Sequence, residues 1–174
     1  DIKNEAYQFI QKVTGKYVYP VEIEDNNEKQ LVGSYEEMCR ILLWLNVREE
    51  ISLAGNKEET ARYFNFKIWE KGQRTIEHIF PKSEESKLDF NTNILYQNLS
   101  VHSAGNLVLL YHNENSEFGA KTPIEKKKIY FDFSRDFKSR HLMHSIMVFA
   151  KRNDWKEKEI FDNQEEFKKE VIQL

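Results

Sequence analysis

A single cysteine, Cys39, stands in a chain of 174 residues, so no internal disulfide can form and no pair of thiolates can build a zinc knuckle. That scarcity fits a reducing compartment. Proline and glycine are also few, three and six, which excludes collagen-like and Gly/Pro-rich flexible designs. No apolar run approaches the roughly 20 residues needed to cross a bilayer. The opening DIKNEAYQFI lacks the basic-then-apolar grade of a secretory signal. A cytoplasmic protein with no membrane partner is therefore expected. An excess of positive charge is missing too: the formal net charge of −3 argues against nucleic-acid binding through bulk charge.

What is present describes a folded, helix-rich protein. Hydrophobic residues make up 40% and charged residues 32%, enough apolar surface for one real core in a chain of this length. The basic residues are concentrated. Between positions 121 and 158, 11 Lys and Arg face five acids, which predicts a local positive surface. Because the chain opens on Asp1 rather than Met, we expect it to continue an upstream segment. Residues 1–71 then read as a helical region, the tail of an upstream domain, and residues 72–174 as a second unit with C-terminal helices.

Three capping boxes, in which a capping side chain and a Glu three positions later satisfy each other's backbone donors, predict helix starts at Ser34, Asn56 and Asp162. After Ser34 the residues Met38, Ile41, Leu42, Leu45 and Val47 recur at helical spacing. After Asn56, Ala61, Phe64, Phe66 and Trp69 can be read likewise. The segment Lys16 to Ile23 reads as extended. In the middle of the chain, Arg74 to Phe80 and Asn106 to Tyr111 are β-rich runs, the first stopped by Pro81, the second entered through Gly105. The polar connection between them is too long for a tight hairpin. A fourth capping box, Thr122 to Glu125 with Pro123 at the first helical position, predicts a helix to about Tyr130. A further helix is expected over Lys138 to Arg152. The fold class is α+β, mostly helical, with a small ββα unit embedded in it.

Glu77 and His78 lie next to each other on the first apolar run. Taken alone, they read as an exposed acid and a hydrogen-bonded core histidine. The ordered set is more specific: EHIFP at Glu77 to Pro81, GNLVLL at Gly105 to Leu110, NS at Asn115 and Ser116, and KTPIEKK at Lys121 to Lys127. It resembles the HNH, or ββα-metal, endonucleases, and within them the GmrSD-type C-terminal nuclease domains, over about residues 75–130.

The resemblance implies a phosphodiester hydrolase that cuts double-stranded DNA, modified or of phage origin, as effector of a restriction or anti-phage system beside an upstream NTPase or sensor. His78 would be the general base, a task suited to an imidazole. Glu77 and Asn115 would be oxygen ligands of a hard cation, Mg²⁺ or Mn²⁺. Asn106 would hold the loop after the first strand so that His78 stays aimed. Lys121, Lys126, Lys127 and Arg135 would contact the DNA backbone. Asn113 rivals Asn115 for the ligand position, and His102 reads as a loop histidine that could also serve the site. Asn163 stands where the family pattern leads one to expect Arg, which puts the contacts of the last helix in question. A non-catalytic nucleic-acid-binding module on the same fold, or an RNase, are the alternatives.

Overall fold

The computed structural model describes residues 28–54 and 65–172. The expected extended segment at Lys16 to Ile23 and the helix start at Asn56 lie outside them. The described elements are helix α1 (Glu28–Ala54), strands β1 (Arg74–His78) and β2 (Leu107–Tyr111), and helices α2 (Pro123–Tyr130), α3 (Met143–Lys151) and α4 (Glu157–Ile172), joined by short 3₁₀ turns. This is the mostly helical α+β arrangement that the sequence predicts. Among the described residues no helix is long and apolar enough to cross a membrane.

The two strands pair antiparallel, with Thr75 opposite Leu110, Glu77 opposite Val108 and His78 opposite Leu107. Every residue of β2 is buried, so both faces of this small sheet are covered. Ile76, Leu107, Leu109 and Tyr111 join one apolar cluster with Met38 to Val47 of α1. Val108 and Leu110, on the opposite face, join a second with Phe118, Tyr130, Phe149, Trp155 and Ile160. The alternation of strand side chains thus divides LVLLY between two cores.

Helix α1 is buried on nearly every side from Met38 to Val47, with Arg40 exposed, as expected of a helix apolar all round. It begins at Glu28, before Ser34, so the capping box read at Ser34 does not start it. Asn46 within it accepts the backbone N–H groups of His144 (3.0 Å) and Ser145 (3.2 Å). Its amide thereby satisfies donors at the start of α3 that α3 itself cannot.

Helix α2 matches expectation at both ends. Thr122 and Glu125 form the reciprocal capping box and Pro123 opens the helix. The helix expected over Lys138 to Arg152 is instead divided. Lys138–His141 is a 3₁₀ turn, and Leu142, extended at φ −89°, ψ 94°, separates it from α3. Helix α4 starts at Glu157 rather than at Asp162. The Glu159 carboxylate takes the Lys156 backbone N–H at 3.0 Å, a local cap that precedes the one read at Asp162. Phe66–Trp69 forms a 3₁₀ turn, begun by the Asn65 side chain accepting from the Lys67 N–H, and not the end of a long helix.

Candidate active site

The connection between the strands is organised by one amide. Asn106 is fully buried, and its Oδ1 accepts the Phe80 N–H at 2.8 Å while Nδ2 donates to the carbonyls of Phe80 (3.0 Å) and Val101 (2.7 Å). Its own carbonyl accepts from Ile79 at 2.9 Å, extending the strand ladder by one bond. Asparagine suits this position because one planar group offers an acceptor and two donors. The loop after β1 and the turn before β2 are thereby tied to the same side chain.

Glu77 projects from β1 to the face it shares with Thr75 and Val108. It is 7% exposed, so the reading of an exposed acid is corrected: Lys126 of α2, 1% exposed, places its ammonium 2.5 Å from Oε1. The same ammonium donates to the His78 carbonyl at 2.6 Å. Burial raises the Glu77 carboxyl above its usual range, and the Lys126 charge pulls it back. Burial likewise lowers the Lys126 ammonium, with Glu77 opposing. Each partner supplies part of what water would, and either one left alone would be a buried group without its counterpart.

Asn115 comes to the same face from the 3₁₀ turn after β2, its Nδ2 donating to the Thr75 hydroxyl at 3.5 Å. Its Oδ1 is buried without a hydrogen-bond partner. Asn113 is exposed, so of the two candidates only Asn115 reaches the strand, and it carries an orphaned buried oxygen. Thr75 and Glu77, two apart on β1, have Cβ atoms roughly 7 Å apart, so Asn115 meets the strand one same-face position from Glu77. This donor set, an amide oxygen in need of a partner and a carboxylate, suits an oxygen-preferring cation. Lys126 already occupies Oε1, so a cation would use the other oxygen or displace the ammonium. Among the described residues no three His, Cys, Asp or Glu cluster as ligands, and the remaining positions would fall to water and phosphate.

His78, the last residue of β1, leaves on the opposite face by strand alternation. Its Nε2 lies 3.0 Å from Nδ1 of His102, the rings nearly perpendicular at 80°. Burial, then the neighbouring His102, Lys126 and Lys82, hold the His78 imidazole down to about 3, so it is neutral at ordinary pH. No contact joins its ring to Glu77 or Asn115 among the described residues. Backbone adjacency and Lys126 link the two faces at the strand end.

The lysines read as a DNA-contacting surface separate into two groups. Lys126 is buried, as described. Lys127 donates to the carbonyls of Ala150 (3.0 Å) and Arg152 (3.3 Å) and to Asn153 Oδ1 (2.8 Å), so it caps the C-terminal end of α3 where carbonyls lack intrahelical partners. These two face inward, contrary to a solvated face. Lys121 remains exposed, on the Glu117 carbonyl, and Arg135 remains exposed while bridging Glu117 (2.8 Å) and Asp132 (3.3 Å).

Asn163, the departure from the expected Arg, donates to the Gly105 carbonyl at 2.9 Å while Gln164 accepts the Gly105 N–H at 2.7 Å. Helix α4 thus grips the residue before Asn106 on both backbone groups. Gly105 has to be glycine here, since a Cβ would lie 2.1 Å from the Ile160 carbonyl oxygen. Sequence reasoning left His102 as a loop residue and gave no role to Lys82. Only the turn geometry brings His102 onto His78, a contact between residues 24 positions apart that no local pattern reports.

Compared with known families, residues 21–170 match the family model of the C-terminal domain of GmrSD restriction endonucleases. Neither a curated protein nor a solved structure matches the chain.

Proposed function

The chain belongs to the C-terminal domain family of the GmrSD restriction endonucleases, and from that premise we propose that it is a metal-dependent HNH-type endonuclease or nickase acting on DNA in a restriction or anti-phage system. What supports the proposal is that the strand end carries both parts: a half-buried imidazole at His78 and, on the opposite face that Glu77 shares with Thr75, an orphaned buried oxygen at Asn115. His78 takes a proton from water, whose oxygen attacks phosphorus. The P–O3′ bond breaks, and the leaving 3′ oxygen picks up a proton from solvent, giving 5′-phosphate and 3′-hydroxyl ends. Held through Glu77 and Asn115, Mg²⁺ or Mn²⁺ would supply charge stabilisation to the phosphate and the leaving oxygen. Asn106 keeps the His78 loop in place, while the exposed Lys121 and Arg135 would contact the phosphate backbone.

Supercoiled plasmid incubated with Mn²⁺ should be nicked by the wild-type protein and left intact by His78→Ala, with DNA binding retained. Equal nicking by both proteins would remove His78 as base. One observation favours the non-catalytic reading: Glu77 is already neutralised by Lys126. If that reading holds, Mn²⁺ does not bind, no plasmid is cut, and salt-sensitive DNA binding is all that remains.

A further inference from the structure

Resting on the assignment of His78 as base, we propose that His102 is a positioning residue: its Nδ1 accepts the His78 Nε2–H and so fixes His78 in the tautomer whose Nδ1 lone pair is open to water.

Four observations lead there. First, the contact joins Nε2 of His78 to Nδ1 of His102 at 3.0 Å, and two neutral imidazoles can share it in only two ways. If His78 donates, both rings carry their proton on Nε2, the form a free imidazole side chain prefers. If His102 donates, both rings must adopt the less favoured Nδ1–H form, and the His78 lone pair is spent inside the contact. Second, a charged ring is discouraged on both sides. Both side chains are half-buried, which leaves a cationic ring less solvated than in the open chain.

Third, no described group hydrogen-bonds Nδ1 of His78, and the residue is half-buried rather than enclosed. Fourth, the partner is built in rather than draped over the site. The His102 N–H donates to Ser100 Oγ at 3.1 Å, the Ser100 N–H to Ser103 Oγ at 2.9 Å, and the Ser103 N–H to the Ser100 carbonyl at 3.0 Å. The amide of Asn106 holds Phe80, two residues after His78, and Val101, one residue before His102. One side chain therefore sets the spacing of the two imidazoles. A ring nitrogen's proton is decided by the bond the other nitrogen makes, and orientation of a base by a second group is the logic of catalytic triads. Here an uncharged imidazole takes the orienting place.

The test uses the full chain in two measurements. In metal-free, DNA-free protein, ¹⁵N shifts of the imidazoles should give His78 as the Nε2–H tautomer in the wild type and in His102→Asn, whose Oδ1 replaces the acceptor. In His102→Leu they should give a mixture. In plasmid nicking with Mn²⁺, His102→Leu should lose about 10- to 100-fold in kcat with KM nearly unchanged, and His102→Asn should recover most of that loss. A protonated Nδ1 on wild-type His78, or His102→Leu with an unchanged tautomer and kcat, overturns the proposal. If His102→Leu does not fold, the wild-type and His102→Asn tautomers still decide. Failure of the underlying reading looks different: the wild type itself does not nick, or His78→Ala nicks as well as it does.

Discussion

Replacing Asn106 by alanine should cost this protein more than any exposed substitution in the sheet region. The amide makes three hydrogen bonds at 2.7 to 3.0 Å from a fully buried position. Its removal leaves the Phe80 N–H and the carbonyls of Phe80 and Val101 without it. A buried polar group left unpaired costs roughly 1–3 kcal/mol. With some relief from water entering the space, the sum is about 3–6 kcal/mol, a large part of the 5–15 kcal/mol typical of a domain.

Asn106→Asp sharpens the test. It keeps an acceptor for the Phe80 N–H but turns a second oxygen toward two carbonyls, an arrangement that disfavours the charged form and raises the folded-state carboxyl. A group with a raised folded value contributes its stability below the unfolded value and loses it as pH rises through the folded one. The aspartate variant should therefore be closer to wild type near pH 4 than near pH 7, whereas the alanine variant should show no such trend relative to wild type. Urea unfolding at both pH values, followed by tryptophan fluorescence, measures this. Asn106→Ala within about 1 kcal/mol of wild type would show that the loop is held by something other than this amide.

Three further expectations follow from the same structure. Lys126→Met should destabilise by roughly 3–5 kcal/mol, because it strands a buried carboxylate, and adding Glu77→Gln should restore much of the loss; a double variant no better than the single one removes the pair as the cause. His78, whose imidazole burial holds down to about 3 from the ordinary 6.5, is more readily protonated in the unfolded chain. Stability should therefore fall as pH drops from about 6.5 toward 3, at up to about 1.4 kcal/mol per unit, and His78→Gln should show a shallower slope in metal-free buffer. Gly105→Ala should push α4 away from the turn through the contact with the Ile160 carbonyl, at roughly 1–3 kcal/mol or more, readable as a lowered Tm; an unchanged Tm would mean that α4 is not seated on Gly105.

Residue type, order and spacing determined a good deal here without any coordinates. The strands, the capped helix at Thr122 and the family motif are written in short-range patterns: alternation, a reciprocal Thr–Glu cap, a proline where a helix has no use for an N–H. Asn106 could be named as a loop holder only through the resemblance that the motif carries. Helix starts were less legible: α1 runs through Ser34 from Glu28, and at α4 the cap of Glu159 on Lys156 precedes the one read at Asp162. The tertiary structure alone decided which charges face water. Lys126 and Lys127 read like their exposed neighbours, and only the packing of α2 against β1 and α3 turned one onto a carboxylate and the other onto helix-end carbonyls. It alone, too, set His102 against His78, since a contact between two turns is made by whatever folds them together and leaves no periodicity in the chain.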